Sequence, residues 1–381
     1  MKRKNNIVHL VTPYLFHTGS WIYNQINEGL GVNQIVFTQR KENLDQFPLK
    51  NIISIEDFSI YKRVVNKFYR KFTDNYGMFF ESEIIKNNIN LFHAHMGFEG
   101  ARWLKIVAKS KKPLITSFYG QDVSKLGKED YWLKRYEHLF DYGYSFLAEG
   151  PYLKKQLVEI GCPSEKIVIQ KLGIPINNYP VKEYFTSSER IIILQVSTFR
   201  EKKGIKYSIE ALKFLQDEKI DFEFRLIGGA DNDKDVNEIK KLTNNYGIAG
   251  KVKFLGKMNH VEMIKEMVSS DIFLHPSVTA SDGDNEGGVP MSIIEASAIG
   301  LPVVSSYHAD IPEVVINNLT GLLSKERDSY QLYKNLLCLV NDQKYRMQLG
   351  MAAHEHVIRN YNLNDQLIKL SEIYNKAIIY T

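Results

Sequence analysis

The sequence is poor in the features that mark secreted, membrane-spanning and disulfide-rich proteins. It contains two cysteines in 381 residues, Cys162 and Cys338, which are far apart and have no metal-ligand residues around them. We therefore expect two free thiols in a reducing compartment rather than a disulfide or a metal site. No apolar run approaches the roughly 18 residues of a transmembrane helix. The first run, residues 7–11, is too short for a signal peptide and is predicted to be a strand.

Length and composition predict a globular protein with two domains. The chain is longer than one typical core supports, and its 44% hydrophobic and 24% charged residues are ordinary for a folded protein. The charge is uneven, because residues 1–180 contain 25 Lys and Arg against 17 Asp and Glu, whereas the remainder contains 24 against 27. A basic first half indicates an anionic partner or surface.

Short apolar runs alternate with helical patterns through the first half, which predicts parallel strands joined by crossover helices. Strands are predicted at residues 7–12, 34–38, 91–95 and 114–118. A turn of small residues around Gly19 follows the first of them, and ligands of open α/β sheets bind at such turns. Gly19 is therefore a candidate ligand-binding residue, with a plain turn as the alternative.

The stretch 281–306, SDGDNEGGVPMSIIEASAIGLPVVSS, predicts a loop, a helix and a short strand in succession. Pro290 at the first helical position and Gly300 just past the last give the helix its expected ends. Gly287 and Gly288 precede the helix, where backbone N–H groups can converge on a phosphate and the helix dipole adds to the attraction. The stretch therefore predicts a phosphate-binding site.

Two carboxylates accompany this site, Glu286 at its start and Glu295 within the helix. A carboxylate only accepts hydrogen bonds, so it suits the paired hydroxyls of a sugar. The stretch resembles the acidic motif of family 4 retaining glycosyltransferases, which reads E-x7-E followed by A-x-A-x-G-x-P-V-V. Residues 295–304, EASAIGLPVV, match its second part, whereas eight residues rather than seven separate the two glutamates.

The resemblance implies an α/β protein of the GT-B fold, in which two Rossmann-like doubly wound domains face each other across a cleft. Residues 1–180 would form the acceptor-binding domain and residues 188–362 the domain that binds the nucleotide-sugar donor. The polar segment 181–189 would link them, and a helix at 363–381 would cross back to the first domain.

A basic turn follows the first predicted strand of the second domain. Relatives read G-R-L-x-x-x-K-G there, and Lys203 and Gly204 match; Thr198 takes the Arg position and Arg200 lies two residues on. The resemblance assigns Lys203 to the donor phosphates, with Arg200 as a replacement for the missing Arg. A solvated basic loop is the alternative. Gly228, after the strand predicted at 222–227, would let the backbone approach the nucleotide.

Two motifs of the first domain also resemble the family. Residues 92–97, FHAHMG, resemble its HAHFG segment on the acceptor side, which makes His95 a candidate. Residues 116–122, TSFYGQD, contain a segment that resembles T-x-H-G-x-D, in which Gly120 and Asp122 match and Tyr119 replaces the His beside the reacting sugar. A tyrosine hydroxyl can bond a sugar but is a poor base near neutral pH.

Two patterns could be read as metal sites. His93 and His95 point to one face of a strand, but the sequence offers no third ligand at a sensible spacing. Asp282 and Asp284 form the D-x-D signature of a different glycosyltransferase fold, here inside the loop already assigned to phosphate. We therefore expect no metal.

Residues 61–72, YKRVVNKFYRKF, are basic with interleaved aromatics. No nucleic-acid-binding motif accompanies them, so a nucleic-acid partner is not expected. A helix against anionic lipid headgroups and a solvated helix with an apolar underside both remain open.

Taken together, the resemblance implies a retaining, metal-independent hexosyltransferase without a cofactor. It would move a sugar from a UDP- or GDP-linked donor to a glycan or lipid-linked acceptor in bacterial polysaccharide biosynthesis. We expect it in the cytoplasm, peripheral at the inner membrane through an anionic membrane surface. The candidate residues are Lys203, Glu286 and Tyr119 for catalysis, Glu295, Gly287, Gly288, Arg200, Gly228 and Gly19 for the donor, and His95 and Asp122 on the acceptor side.

Two other functions remain open at this point. Tyr119 and Thr198, which depart from the family pattern, suggest a non-catalytic nucleotide-sugar-binding relative. A GT-B sugar-nucleotide epimerase is the second alternative, although the residues that follow Glu295 argue against it.

Overall fold

The chain folds, in the computed structural model, into two α/β units that each contain one parallel sheet. The structure describes residues 4–27, 31–183, 190–230 and 232–380. Contacts within the chain divide it into a first unit, Met1–Gly173 with Leu363–Thr381, and a second unit, Ile174–Asn362. The division lies a few residues before the predicted boundary at 180. Residues 184–189, which contain most of the predicted linker and the predicted start of the second domain, lie outside the described residues.

The first unit, within the described residues, contains a parallel sheet in the order β3-β2-β1-β4-β5-β6-β7. Its strands are β1 (Asn6–Leu10), β2 (Asn33–Thr38), β3 (Ile52–Ser54), β4 (Leu91–His95), β5 (Leu114–Ser117), β6 (Ser145–Ala148) and β7 (Ile167–Ile169). The four predicted strands are confirmed. The prediction missed β3, β6 and β7, whose three or four residues are too few to show a hydrophobic period.

Helices connect these strands and cover both faces of the sheet. They are α1 (Ser20–Asn27), α2 (Ile60–Thr73), α3 (Glu81–Lys86), α4 (Gly97–Ser110), α5 (Gln121–Ser124), α6 (Asp130–Tyr142), α7 (Pro151–Glu159) and, from the end of the chain, α14 (Leu363–Ile379). The last helix contributes Leu370, Tyr374 and Ala377 to a core with Ile7 and Leu91. The sheet of the first unit therefore depends on residues from both ends of the sequence.

The sheet face under α14 changes from apolar to polar along the strands. Successive residues of a strand point to opposite faces, so Ile7 and His9 share a face in β1, and Leu91, His93 and His95 share it in β4. The Tyr374 hydroxyl and His93 Nδ1 are 2.6 Å apart. The helix therefore packs on the apolar half and hydrogen-bonds the polar half.

The second unit, in the part of the chain that is described, contains a parallel sheet in the order β10-β9-β8-β11-β12-β13. Its strands are β8 (Ile191–Thr198), β9 (Phe222–Gly229), β10 (Val252–Gly256), β11 (Ile272–His275), β12 (Val303–Ser306) and β13 (Gly321–Ser324). This is the strand order of a dinucleotide-binding Rossmann sheet. Because the order reverses between β8 and β11, the loops that follow these two strands open a crevice at the carboxyl edge.

The helices of the second unit lie on both faces of its sheet. They are α8 (Ile205–Asp217), α9 (Asp233–Asn245), α10 (His260–Ser269), α11 (Met291–Ile299), α12 (Ser329–Asn341) and α13 (Gln343–Tyr361). The predicted helix in the 281–306 stretch is α11. Its N-cap is Pro290, one position earlier than predicted, and Gly300 ends it in the left-handed conformation with φ of 85°, as glycine favours.

No helix within the described ranges has both the length and the apolar character needed to cross a bilayer.

Replacement of Tyr374 by phenylalanine should destabilise the first unit. The change removes the hydroxyl that pairs with buried His93 Nδ1, and an unsatisfied buried polar atom costs about 1–3 kcal/mol. Chemical denaturation should show this loss for Tyr374→Phe but not for Tyr380→Phe, since Tyr380 is exposed on the surface. Equal stabilities of the two variants would contradict the assignment.

Candidate functional site

The crevice of the second sheet brings Lys203 and Glu286 together. Lys203 ends the turn after β8, and Glu286 belongs to the loop after β11. Lys203 Nζ lies 2.7 Å from Glu286 Oε2, and their side chains are 15% and 6% exposed. The two residues are 83 positions apart in the sequence, so the fold rather than local spacing creates the pair.

Gly204 allows the two loops to approach this closely. It adopts φ of +65°, and a Cβ at this position would lie 1.8 Å from the carbonyl oxygen of Pro276. A side chain here would therefore have to displace the backbone of the loop after β11. The glycine matched by the family pattern is thus required by the backbone geometry beside Lys203.

The buried pair is ionised at neutral pH. Burial alone would raise the pKa of Glu286, but the ammonium groups of Lys203 and Lys202 outweigh it and hold that pKa far below its usual range. Burial lowers the pKa of Lys203, against the opposing attraction of Glu286. The crevice therefore presents a cation that is already balanced by a carboxylate.

Further contacts hold the loop that carries Glu286. Lys202 Nζ lies 3.1 Å from Asp284 Oδ1 and 2.8 Å from the carbonyl oxygen of Asn285. The Ser277 hydroxyl donates to Glu286 Oε1 over 2.8 Å. Asp284, one acid of the D-x-D pattern, is thus the partner of a lysine. Sequence reasoning missed Lys202 and Ser277, although the paired lysines before Gly204 were a visible signal.

Gly287 and Gly288 use their backbone N–H groups inside the loop. Gly287 donates to Asn285 Oδ1 and Gly288 to the carbonyl oxygen of Glu286, each over 2.9 Å. The predicted phosphate contacts of these two glycines would require the loop to rearrange. Among the described residues no side chain caps the N-terminus of α11, so its first N–H groups can receive an anion without that rearrangement.

Glu295 lies in α11 and is buried against two polar residues that the sequence did not suggest. The Tyr179 hydroxyl donates to Glu295 Oε1 over 3.0 Å, and His260 Nε2 lies 3.1 Å from the same oxygen. The hydrogen bond to Glu295 raises the pKa of His260. Tyr179 and His260 are far from Glu295 in the sequence, and no motif pointed to them.

The remaining donor candidates of the second unit differ in their surroundings. Arg200 is exposed beside Lys203, and none of the described residues pairs with its guanidinium group. Gly228 has φ of +128°, and its Cβ would lie 1.8 Å from the Ser197 carbonyl oxygen. Gly228 therefore allows β9 to lie close to β8, which explains the glycine without a nucleotide. Their roles in donor binding stay predictions.

In the first unit, Asp122 organises the loop that carries Tyr119. The buried carboxylate of Asp122 accepts hydrogen bonds from the backbone N–H groups of Gly97, Tyr119 and Gly120 at 2.9, 3.2 and 2.9 Å. It is thus surrounded by its own backbone rather than open to an acceptor. Gly19, the other candidate of this unit, lies next to the first residue of α1 and accepts from Ile22 and Tyr23.

Tyr119 and His95 belong to a buried polar network that also contains His9. The Tyr119 hydroxyl lies 2.9 Å from His95 Nδ1, and His95 Nε2 lies 3.0 Å from His9 Nδ1. His9 Nε2 contacts Gln34 Oε1 at 2.7 Å. Tyr119 is 8% exposed and His95 is fully buried, so His95 has no exposed surface with which to contact an acceptor.

His9 supplies the third ligand that the sequence did not offer for a metal at His93 and His95. The ligand atoms of the three side chains lie within 4.8 Å of one another. Burial lowers the pKa of His9 to about 4, which keeps it neutral, and a neutral imidazole also suits a metal. However, each of the six ring nitrogens has a hydrogen-bond partner within the protein. The cluster is therefore complete as a hydrogen-bonded network.

The basic segment predicted at 61–72 forms most of α2, and half of this helix is exposed. At about 100° per residue, the exposed side chains lie on one continuous face: Ile60, Tyr61, Arg63, Val64, Lys67, Phe68, Lys71 and Phe72. Arg63, Lys67 and Lys71 follow one edge of this face, and three aromatic rings follow the other. The exposed face of α2 therefore combines cations with aromatic rings.

Replacement of Lys203 by methionine should destabilise the second unit in a pH-dependent way. Removal of one partner of a buried ion pair costs about 3–5 kcal/mol. Because the pKa of Glu286 is held low in the folded protein, the pair stabilises it above the unfolded pKa of about 4.3. That stability is lost as the pH falls further. The deficit of Lys203→Met in urea denaturation should therefore be largest at pH 7, and it should disappear only as the pH falls well below 4, toward the low pKa of Glu286 in the folded protein.

Lys206→Met provides the matched control, since the Lys206 side chain is 64% exposed and 3.9 Å from Glu210. A similar loss in both variants at pH 7 would contradict a buried pair at Lys203.

The sequence is similar to a family model and to known glycosyltransferases. Residues 181–356 match the family model described as "Glycosyl transferases group 1". The chain is 32% identical over 292 residues to the amylovoran biosynthesis glycosyltransferase AmsK of Erwinia amylovora, with 75% of this chain and 70% of AmsK covered.

Solved structures show the same fold. The Anabaena protein Alr3699/HepE, crystallised with UDP and glucose, superposes with a TM-score of 0.78 at 15% identity over 98% of this chain and all of HepE. A glycosyltransferase from Rickettsia africae superposes with a TM-score of 0.76 at 20% identity over 99% of both chains. The predicted GT-B fold is confirmed, and the chain belongs to the group 1 glycosyltransferases.

Proposed function

We propose that this glycosyltransferase moves a hexosyl group from a UDP- or GDP-linked donor to a glycan or lipid-linked acceptor in bacterial polysaccharide biosynthesis. The transfer retains the anomeric configuration and requires neither a metal ion nor a cofactor. The observation that carries the proposal is the pair of Lys203 and Glu286 in the crevice of a Rossmann sheet. The name of AmsK, a biosynthetic enzyme of amylovoran, supports the polysaccharide product, and the UDP and glucose bound to HepE support the donor.

The donor diphosphate binds between Lys203, Arg200 and the N-terminus of α11. Arg200 is exposed beside Lys203, and the helix offers uncapped N–H groups. When the bond between the anomeric carbon and the diphosphate breaks, negative charge develops on the departing oxygen. Fixed cations and N–H dipoles stabilise this charge more than they stabilise the bound substrate, which lowers the barrier.

Glu286 and Glu295 bind the two sugars of the donor. Both contacts of Glu295 with Tyr179 and His260 use Oε1, and Oε2 has no partner among the described residues, so it can accept from the ribose diol. Glu286 accepts hydroxyls of the transferred sugar once Lys203 turns to the phosphates. The exchange keeps Lys203 paired with a negative charge throughout.

Tyr119 borders the acceptor side of the reaction and does not act as a base. Burial raises the pKa of its phenol far above the usual value, and its hydroxyl is bonded to His95. Positioning of the two substrates therefore contributes more to the rate than proton abstraction by this residue. Asp122 and His95 support the acceptor side by holding the Tyr119 loop and the Tyr119 hydroxyl.

A thermal-shift screen against UDP, GDP, ADP and their common sugars should give a shift for one nucleotide family that EDTA does not reduce. A ligand at 100 times its dissociation constant stabilises the folded state by about 2.7 kcal/mol. Glu295→Gln should lose most of this shift, because a neutral amide is a weaker acceptor for the ribose diol than the carboxylate oxygen Oε2. Glu355→Gln, at an exposed position on α13, should keep it.

Three other outcomes would indicate a different mechanism or function. A shift that EDTA abolishes would contradict the metal-free transfer and return attention to Asp282 and Asp284. Donor binding without turnover in the presence of acceptors would indicate a non-catalytic relative, and turnover of the donor alone would indicate an epimerase.

We further propose that α2 places the enzyme on the inner face of the bacterial membrane. The helix exposes Tyr61, Phe68 and Phe72 along one edge and three cations along the other. Aromatic rings enter the interface between headgroups and acyl chains, and basic side chains attract anionic lipids. The positive balance of residues 1–180 adds to this attraction.

The double variant Phe68→Ser/Phe72→Ser should bind vesicles of anionic lipid at least about tenfold more weakly. Full burial of one phenylalanine side chain stabilises by about 1.5–3 kcal/mol. Partial insertion of two rings should together give a binding free energy close to that of one fully buried ring. Co-sedimentation with vesicles measures the difference. The control Val261→Ser/Leu319→Ser changes two exposed apolar residues of the second unit and should bind normally. Equal binding by both double variants would exclude α2 as the membrane contact.

A further inference from the structure

The backbone of Glu286 is held by His308, which the sequence analysis did not assign to the site. The Glu286 backbone N–H donates to His308 Nε2 over 3.2 Å, and His308 Nδ1 lies 2.7 Å from Glu326 Oε1. Glu326 Oε2 accepts the backbone N–H of Thr279 over 2.8 Å. The His308 side chain is 1% exposed, so these contacts are its immediate environment rather than surface encounters.

These residues connect the loops that follow three neighbouring strands. Thr279 and Glu286 follow β11, His308 follows β12 and Glu326 follows β13. The strands are adjacent and parallel, so their carboxyl ends bring the three loops together. Glu326 closes the group by bonding both the histidine and the start of the loop that contains Glu286.

The donors and acceptors around His308 determine which tautomer its imidazole ring adopts. A carboxylate only accepts, so His308 Nδ1 carries the proton and donates it to Glu326. Nε2 then has a free lone pair, which is what the Glu286 N–H requires. The opposite tautomer would direct two N–H groups at each other and leave Nδ1 facing a carboxylate without a proton.

Contacts from the loops after β8, β11 and β12 hold Glu286, and none of them depends on the number of residues between Glu286 and α11. Lys203 and Ser277 hold its carboxylate at 2.7 and 2.8 Å, and His308 holds its backbone. The spacing of eight residues between the two glutamates, one more than the family pattern, can therefore be absorbed after Glu286 without moving it.

We infer that His308, oriented by Glu326, is a positioning residue that holds Glu286 in place for the hydroxyls of the donor sugar. The inference rests on the proposed role of Glu286 in sugar binding. The phosphates and ribose are bound by other residues, so loss of His308 should weaken recognition of the sugar and leave recognition of the nucleotide intact. A residue that merely supports the fold would weaken both together.

Calorimetric titration of the 381-residue chain with UDP and UDP-glucose, and with GDP and GDP-mannose, tests this separation. His308→Leu leaves the Glu286 N–H without an acceptor, so the nucleotide sugar that wild type binds should bind about tenfold more weakly. The matching nucleotide diphosphate should bind within about twofold of wild type. His308→Gln, whose amide can accept from Glu286, should recover most of the loss.

His138→Leu is the control, because His138 is exposed on α6 in the first unit and should change neither affinity. An equal loss for nucleotide and nucleotide sugar in His308→Leu would overturn the inference, as would unchanged affinity for both. Failure of wild type to bind either pair would instead reject the proposed donors.

The tautomer of the His308 ring provides a second test that needs no ligand. In the ¹⁵N-histidine-labelled protein, the His308 ring should show a protonated Nδ1 and an unprotonated Nε2 at pH 7, assigned by comparison with His308→Gln. Glu326→Gln keeps an acceptor for Nδ1–H and should preserve this pattern, whereas Glu326→Leu should not. A protonated Nε2 in the wild-type protein would overturn the inference.

Discussion

A buried ion pair between Lys203 and Glu286 is the constraint on which the rest of the second unit depends. Two charges removed from water are stable only when they are close and fully bonded. Glycine at 204 allows the necessary approach of the two loops. Without it the lysine and the carboxylate would each remain buried and unpaired.

The pair also explains why the crevice is suited to a charged ligand. In the proposed function, a donor phosphate replaces Glu286 as the partner of Lys203, so the ammonium group stays paired with a negative charge. Glu286 then becomes an acceptor for sugar hydroxyls, so the proposal makes donor binding and the rearrangement of the pair one step.

The first unit buries several polar side chains at the carboxyl edge of its sheet. Hydrogen bonds from Tyr119 through His95 and His9 satisfy each ring nitrogen along the way. Because burial keeps the three histidines neutral, the network costs no buried charge. The tyrosine that replaces the family histidine is thus integrated into the core, which accounts for its low exposure.

Some predicted site residues have roles in maintaining the fold that the motifs did not indicate. Asp122 matches a family position, yet its carboxylate is used by three backbone N–H groups. Gly228 was predicted to let the backbone approach a nucleotide, yet the close approach of β8 and β9 already requires a glycine there. A motif records that a residue type is needed and does not distinguish a ligand contact from a backbone constraint.

The sequence by itself determined the class of the fold, the main strands and the helix that ends at Gly300. These follow from local periodicity and from residues with special backbone preferences, which act over a few positions. It also predicted, through resemblance to a family, that Lys203, Glu286 and Glu295 belong to one site, and the structure pairs Lys203 with Glu286. Only the tertiary structure decided which groups these residues meet: Tyr179 and His260 at Glu295, and Ser277 and His308 at Glu286. Their separations in the sequence range from 9 to 116 positions, and parallel strand order, not spacing, brings such residues to one edge of a sheet.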